Sequence, residues 1–193
     1  MIPLSGGREL LEAAVSYALT GAAMATPPLL SRPTPCPGWD LGTLLDHLED
    51  SADVLGQAIS TAGKAPPHPG RGADPVARLR GQTARLLAAC AVARPDGRLI
   101  AIGDRELTAS MVAVTGAIEI TVHGWDIFAA CGAIRPVPPG LATALLPAAA
   151  LLVTPRTRPG LFAAPVRLPS PACPPGDQLI AFLGRRPRFP AAA

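Results

Sequence analysis

The chain has 193 residues, a formal charge of +3 and 49% hydrophobic residues, enough for one domain with a sizeable core. Aromatics make up only 4%, and the basic residues are scattered apart from GRRPR near the C-terminus; this excludes a nucleic-acid groove, which needs a basic face with stacking aromatics. No run reaches the roughly 20 apolar residues of a membrane span, and the start, MIPLSGGREL, lacks a basic region followed by a long apolar one, so the expectation is a cytoplasmic protein with no membrane partner.

Residues 7–24 read as a first helix, with Leu10, Leu11, Ala14, Val15, Ala18 and Leu19 on one face. Pro27 and Pro28 stop it. The turn SRPTPCPGWD follows, and Asp40 is a suitable N-cap for a second helix, 41–62. Its apolar stripe is Leu41, Leu44, Leu45, Leu48, Ala52, Leu55 and Ile59, and His47 lies at the edge of that stripe. A Pro/Gly loop carries His68, which reads as solvent-exposed. Asp74 then caps, and Pro75 opens, a third helix over 75–93. A short strand is expected at Arg98–Ile102, inside a turn segment. Thr108 caps a fourth helix, 109–131, and Gly132 ends it. A fifth helical piece covers about 140–152, a Pro-rich stretch includes a possible strand at Leu161–Leu168, and Asp177 opens a last short helix. Four amphipathic helices with a longer second connection predict a mainly all-α fold. The expected organisation is a four-helix bundle over residues 1–135 and a C-terminal extension, 136–193, packed on it with room for small strands, a single structural domain overall.

The fourth helix is the informative one. Within MVAVTGAIEITVHGWDIFAACG, the polar residues Thr115, Glu119, His123 and Asp126 recur at steps of four, four and three, which places them on one face of a helix. Nearly everything else around that helix is apolar, so it should be surrounded by protein with its stripe aimed at something polar. A buried Glu119 is then paired, protonated or bound to a metal. The plain reading is an intrahelical Glu119–His123 contact, worth about 0.2–0.5 kcal/mol. The sharper reading adds His47, because the second and fourth helices of a bundle can face one another. Two imidazoles and a carboxylate make a three-ligand site for a divalent metal with positions open to water or substrate. Trp39 and Trp125 either wall that site or are plain core; Thr115 and Asp126 complete the polar stripe beside it.

The four cysteines, Cys36, Cys90, Cys131 and Cys173, are far apart and form no C-x-x-C, so a zinc ribbon or thioredoxin-type motif is excluded. Cys90 and Cys131 read as small core residues. Cys36 lies in the Pro-rich turn, where a reactive thiol is the less favoured reading. The chain offers no G-x-S-x-G elbow either.

These motifs carry a family resemblance. TPCPGWDLGTLLDHL resembles the P-C-x-G-W … L-x-x-H segment of the DinB-like metalloproteins, and AIEITVHGWDIFAACG resembles the E-x-x-x-H-G-W-D helix of their mycothiol-dependent maleylpyruvate isomerase and mycothiol S-transferase-like branch. DQLIAFLGRRP is similar to the ending of related actinobacterial metal-binding proteins, so the match runs in order over residues 34–187. The resemblance implies a DinB-like bundle holding a divalent metal, commonly zinc, on His47, Glu119 and His123. It implies mycothiol as a co-substrate and an isomerase or S-transferase reaction on an electrophilic small molecule, in a monomer or homodimer. The alternatives are the same bundle acting as an isomerase or cyclase in natural-product biosynthesis, or a metal-binding protein without turnover. Arg185 and Arg186, with Arg188, are either a solvated basic tail or a clamp for a cofactor or substrate carboxylate. From its length, the chain is expected to lack the larger C-terminal domain of the maleylpyruvate isomerases.

Overall fold

A computed structural model describes residues 4–60, 74–93, 99–102 and 105–187. His68 and Arg188 lie outside them. Among the described residues the chain is mainly helical: α1 (Leu4–Ala22), α2 (Leu41–Ile59), α3 (Pro75–Val92), α4 (Ala109–Ala130), α5 (Pro139–Leu152) and α6 (Pro175–Phe182), with a two-stranded hairpin, β1 (Leu99–Ile102) and β2 (Arg105–Thr108), between α3 and α4.

The helix starts follow from their caps. Asp40 Oδ1 accepts from the Thr43 N–H at 2.8 Å, Asp74 from Val76 at 3.2 Å and Thr108 Oγ1 from Met111 at 3.3 Å. Each satisfies a backbone donor that the first turn leaves without a helical partner. The α2 stripe of Leu41, Leu44, Leu45, Leu48, Ala52, Leu55 and Ile59 is buried throughout.

α1 packs on α4 and α3, and α2 packs on α3 and α4, closing a four-helix ring. α4 is close to α1 because Gly124 has no side chain; a Cβ there would lie 3.0 Å from the Ala18 Cα. α5 and α6 pack on each other, and α5 also covers α4 and α1. Seventeen of the 22 residues of α4 are buried. This explains both its wide apolar surface and the need for its polar stripe to find partners inside the protein.

Two local expectations are corrected. Residues 161–168 form no strand; Pro159, Pro165 and Pro169 remove the N–H groups a ladder needs, and the segment is tied down by single bonds such as Val166 N–H to Ala181 O at 2.8 Å. Within the expected 98–102 a strand forms at Leu99–Ile102, Arg98 lying outside the described residues, and it has a partner that the charged sequence RELT concealed. β2 pairs antiparallel with β1, Ile100 opposite Leu107, and both of these side chains are buried.

α2 and α3 are also joined by a buried ion pair. Arg78 Nε donates to Glu49 Oε2 at 2.8 Å, with the two side chains 8% and 9% exposed, and the same guanidinium bonds Asp46. Losing one side of a buried, hydrogen-bonded ion pair is destabilising, whereas replacing both partners by apolar groups is often close to neutral. Arg78→Leu should therefore lower the unfolding free energy by about 1.5–3 kcal/mol in urea titration, and Glu49→Leu/Arg78→Leu should recover part of it.

Candidate metal centre

The turn before α2 is built first. Cys36, Pro37, Gly38 and Trp39 have the pattern of a type II turn, with Pro at the second position, Gly38 at φ +80° and Trp39 N–H donating to Cys36 O at 3.1 Å. Thr34 is buried beneath it; its hydroxyl donates to Trp39 O at 3.0 Å and accepts from the Cys36 N–H at 3.1 Å. The turn thereby holds a thiol and an indole over the junction of α2 and α4. The Trp39 ring lies 4.6 Å from the His47 ring, centroid to centroid, and 6.2 Å from that of His123, nearly parallel to it.

Beneath Trp39, the structure brings His47, Glu119 and His123 together. Glu119 Oε1 is 2.9 Å from His47 Nε2 and 3.2 Å from His123 Nε2, and one ligand atom from each residue lies within 4.8 Å of the others. The Glu119 side chain is a quarter exposed and that of His47 a third, so the point where they meet opens toward solvent. His123 is buried behind them. Its Nδ1 is 2.9 Å from Asp126 Oδ2. Asp126 has no solvent exposure and is held by Arg185, with Nε 3.3 Å from Oδ1 and Nη2 3.0 Å from Oδ2.

These contacts set the charges. Burial would push the Glu119 carboxyl up, but the His123 charge and the hydrogen bonds from both imidazoles outweigh it and hold the carboxyl below its usual range. Burial would lower His123; the Glu119 charge and the hydrogen bond to Asp126 instead raise it well above the usual imidazole value. Asp126, likewise opposed by burial, is lowered by its hydrogen bond to His123 and by the Arg185 charge.

The donor set fits a divalent metal. An ionised Asp126 can only accept, so with a cation on Nε2 the neutral His123 ring would carry its proton on Nδ1 and turn the Nε2 lone pair to the ion. Tetrahedral zinc at its usual bond lengths sets ligand atoms about 3.3 Å apart, so the 2.9 and 3.2 Å separations need open only by tenths of an ångström. In a second group, Cys36 Sγ, His123 Nδ1 and Asp126 Oδ2, the atoms also lie within 4.8 Å of one another. This group fits a cation poorly, because the Arg185 guanidinium already touches the sulfur and the carboxylate and would repel it.

The remaining candidates fall as follows. Trp125 is buried in the hydrophobic core. Thr115 is half-buried one turn before Glu119 and donates to Met111 O at 2.8 Å. Arg185 is buried, with its fork taken up by Asp126, while Arg186 is exposed. Sequence reasoning disfavoured a reactive Cys36 and did not place it at the site, yet its Sγ lies 3.3 Å from Asp126 Oδ2, 3.2 Å from Arg185 Nη2 and 3.9 Å from His123 Nδ1. The available signal was its place three residues before Trp39 in a turn closed by Pro37 and Gly38. It also passed over Ser51, one turn after His47, whose hydroxyl is 3.5 Å from Nε2.

Residues 11–128 match the family model described as the mycothiol maleylpyruvate isomerase N-terminal domain. The chain is 31% identical over 169 residues to an uncharacterized protein of Mycobacterium tuberculosis, found in strains H37Rv and CDC 1551, an alignment covering 82% of this chain and 86% of the relative. Its fold is similar to the crystal structures of the mycothiol-dependent maleylpyruvate isomerase and of a histidine-to-alanine mutant of that enzyme. Each gives a TM-score of 0.60 at 16% identity, covering 74% of this chain and 67% of the other.

The charge pattern predicts how the metal-free protein responds to pH. A group whose pKa is raised by folding, as that of His123 is, stabilises fully below its unfolded value, about 6.5, and loses that contribution as pH rises through the folded value. Melting temperatures measured in chelator should therefore fall from neutral to alkaline pH. In His123→Gln the slope should be flatter, and an unchanged slope would contradict the pairing.

Proposed function

The chain belongs to the mycothiol maleylpyruvate isomerase N-terminal domain family, and from that premise we propose that it is a metal-dependent isomerase or S-transferase that uses a low-molecular-weight thiol of the mycothiol kind on an electrophilic small molecule. The observation that carries this reading is the convergence of His47, Glu119 and His123 on one partly open point. A divalent cation of the zinc type, bound there, supplies a Lewis acid that brings a thiol's pKa toward neutrality and polarises a carbonyl.

The chain's own residues set the conditions. Glu119 contributes the one negative charge among the three donors, which leaves the loaded centre net positive and suited to an anionic sulfur or an enolate-like oxygen. His47, on the solvent side, and His123, on the buried side, hold the centre between α2 and α4. Trp39 covers the two imidazoles and limits the approach of water. Ser51 places a hydroxyl beside His47, where a polar substrate group can meet it. The isomerase or cyclase alternative uses the same centre with a different substrate, and the non-enzymatic alternative binds the metal without turnover.

Cys36 supports a second reading, because its sulfur stands beside His123, Asp126 and Arg185 and a thiol in contact with an imidazole is a familiar nucleophile. One set of assays separates the two. Purified protein should carry about one divalent metal ion per chain and form a thiol adduct with a simple electrophile, read by mass spectrometry. His123→Ala should lose the metal and nearly all adduct formation, and Cys36→Ser should keep most of both. Full turnover in metal-free His123→Ala would overturn the proposal; loss of turnover in Cys36→Ser with the metal retained would favour the cysteine.

A further inference from the structure

Arg185 stands beyond residues 11–128, the segment that matches the family model, yet its guanidinium reaches into the centre. We infer that Arg185 is a positioning residue: presented by the end of α6, it fixes the Asp126 carboxylate, and through it the Nδ1–H form of His123, so that the C-terminal extension completes the metal centre of the bundle. The inference rests on the metal reading given above.

The geometry leaves the guanidinium little freedom. Nε and Nη2 grip the two Asp126 oxygens at 3.3 and 3.0 Å, a two-point contact that fixes the orientation of the carboxylate as well as its charge. Nη2 also donates to Cys36 Sγ at 3.2 Å, and Nη1 to Leu183 O at 3.1 Å. Asp126 has no solvent exposure, and Arg185 and His123 have little, so water offers no replacement for any of these bonds. Without Arg185, Asp126 would keep only His123 and the Cys36 thiol as partners. With no fork gripping both of its oxygens, the carboxylate can turn away from Nδ1, and that rotation removes the acceptor that favours the His123 proton on Nδ1 and its Nε2 lone pair aimed at the centre.

The extension aims the arginine. α6 ends in a Schellman turn in which Gly184 N–H donates to Ala181 O at 3.1 Å and Arg185 N–H to Ile180 O at 3.0 Å, with Gly184 at φ +84°. A Cβ at Gly184 would lie 2.7 Å from Ala163 O. That carbonyl is itself held by Arg158 Nη1 at 2.7 Å, and the same nitrogen donates to Phe182 O at 3.0 Å. Arg158, Ala163 and the end of α6 therefore form one fixed unit, from which Arg185 projects into the bundle.

A purely structural ion pair would anchor the extension and change nothing else, so the test reads the histidine and the metal. Wild type, Arg185→Met, Arg185→Lys and Gly184→Ala are compared for zinc affinity by competition with a chromogenic chelator. The proton position on His123 is read in metal-free protein from long-range 15N–1H spectra of the imidazoles at alkaline pH, where the ring is neutral. Arg185→Met should weaken zinc binding by about 10–100-fold, the usual cost of losing an outer partner of a ligating histidine, and should shift the His123 tautomers from Nδ1–H toward Nε2–H, the nitrogen that faces Glu119. Arg185→Lys should restore the Nδ1–H form, and Gly184→Ala should shift both readouts in the direction of Arg185→Met. Where Arg185→Met does not fold, Arg185→Gln carries the same comparison. A folded variant with lowered stability but wild-type zinc affinity and an unchanged tautomer would overturn the inference and leave a structural anchor. If wild type binds no zinc, the metal reading fails, and the tautomer alone decides whether Arg185 positions His123.

Discussion

Asp126 is a carboxylate with no access to water, and an unpaired charge in that position would cost several kcal/mol. The cost is offset by His123 on its own helix, by Arg185 from the C-terminal extension and by the Cys36 thiol from the turn before α2. Three separate parts of the chain thus meet on one oxygen, Asp126 Oδ2. The carboxylate thereby serves as a junction: it ties the extension and the turn to the bundle, and it orients the His123 ring.

The bundle supplies what that junction needs. α4 is enclosed by α1, α2 and α5, so its polar stripe leads from a buried end at Asp126 to a partly open end at Glu119 and Thr115. The inner end is a matter of pairing and orientation, and the outer end is where a ligand can arrive. His47 comes from the next helix and closes the outer end. The Asp40 cap and the buried leucine stripe of α2 place its backbone, and Glu119 and the Trp39 ring meet its imidazole.

Much of this was legible in the chain. The 3.6-residue period of α2 and α4 shows in their apolar stripes, and the capping residues Asp40, Asp74 and Thr108 stand where sequence reasoning expects them. The spacing of Thr115, Glu119, His123 and Asp126 marks one face, and the bundle architecture makes a meeting with His47 reasonable. What periodicity cannot convey is contact between distant segments. Cys36 and Arg185 are 149 residues apart, and neither belongs to a periodic pattern that points at the other. RELT was hidden for a related reason: two charged residues lower its intrinsic strand preference, and only the pairing of Leu107 with Ile100 makes it a strand. At 161–168 the apolar residues suggested a strand, and the prolines decided otherwise.

The account turns on which three donors would hold a divalent metal. X-ray absorption at the zinc edge of the loaded protein reads this directly, since nitrogen and oxygen ligands lie at about 2.0–2.2 Å and a sulfur ligand at about 2.3 Å. The arrangement of His47, Glu119 and His123 predicts a shell of light ligands with imidazole scattering from two histidines and no sulfur. A sulfur at about 2.3 Å would place the metal at Cys36, His123 and Asp126 instead and contradict the account.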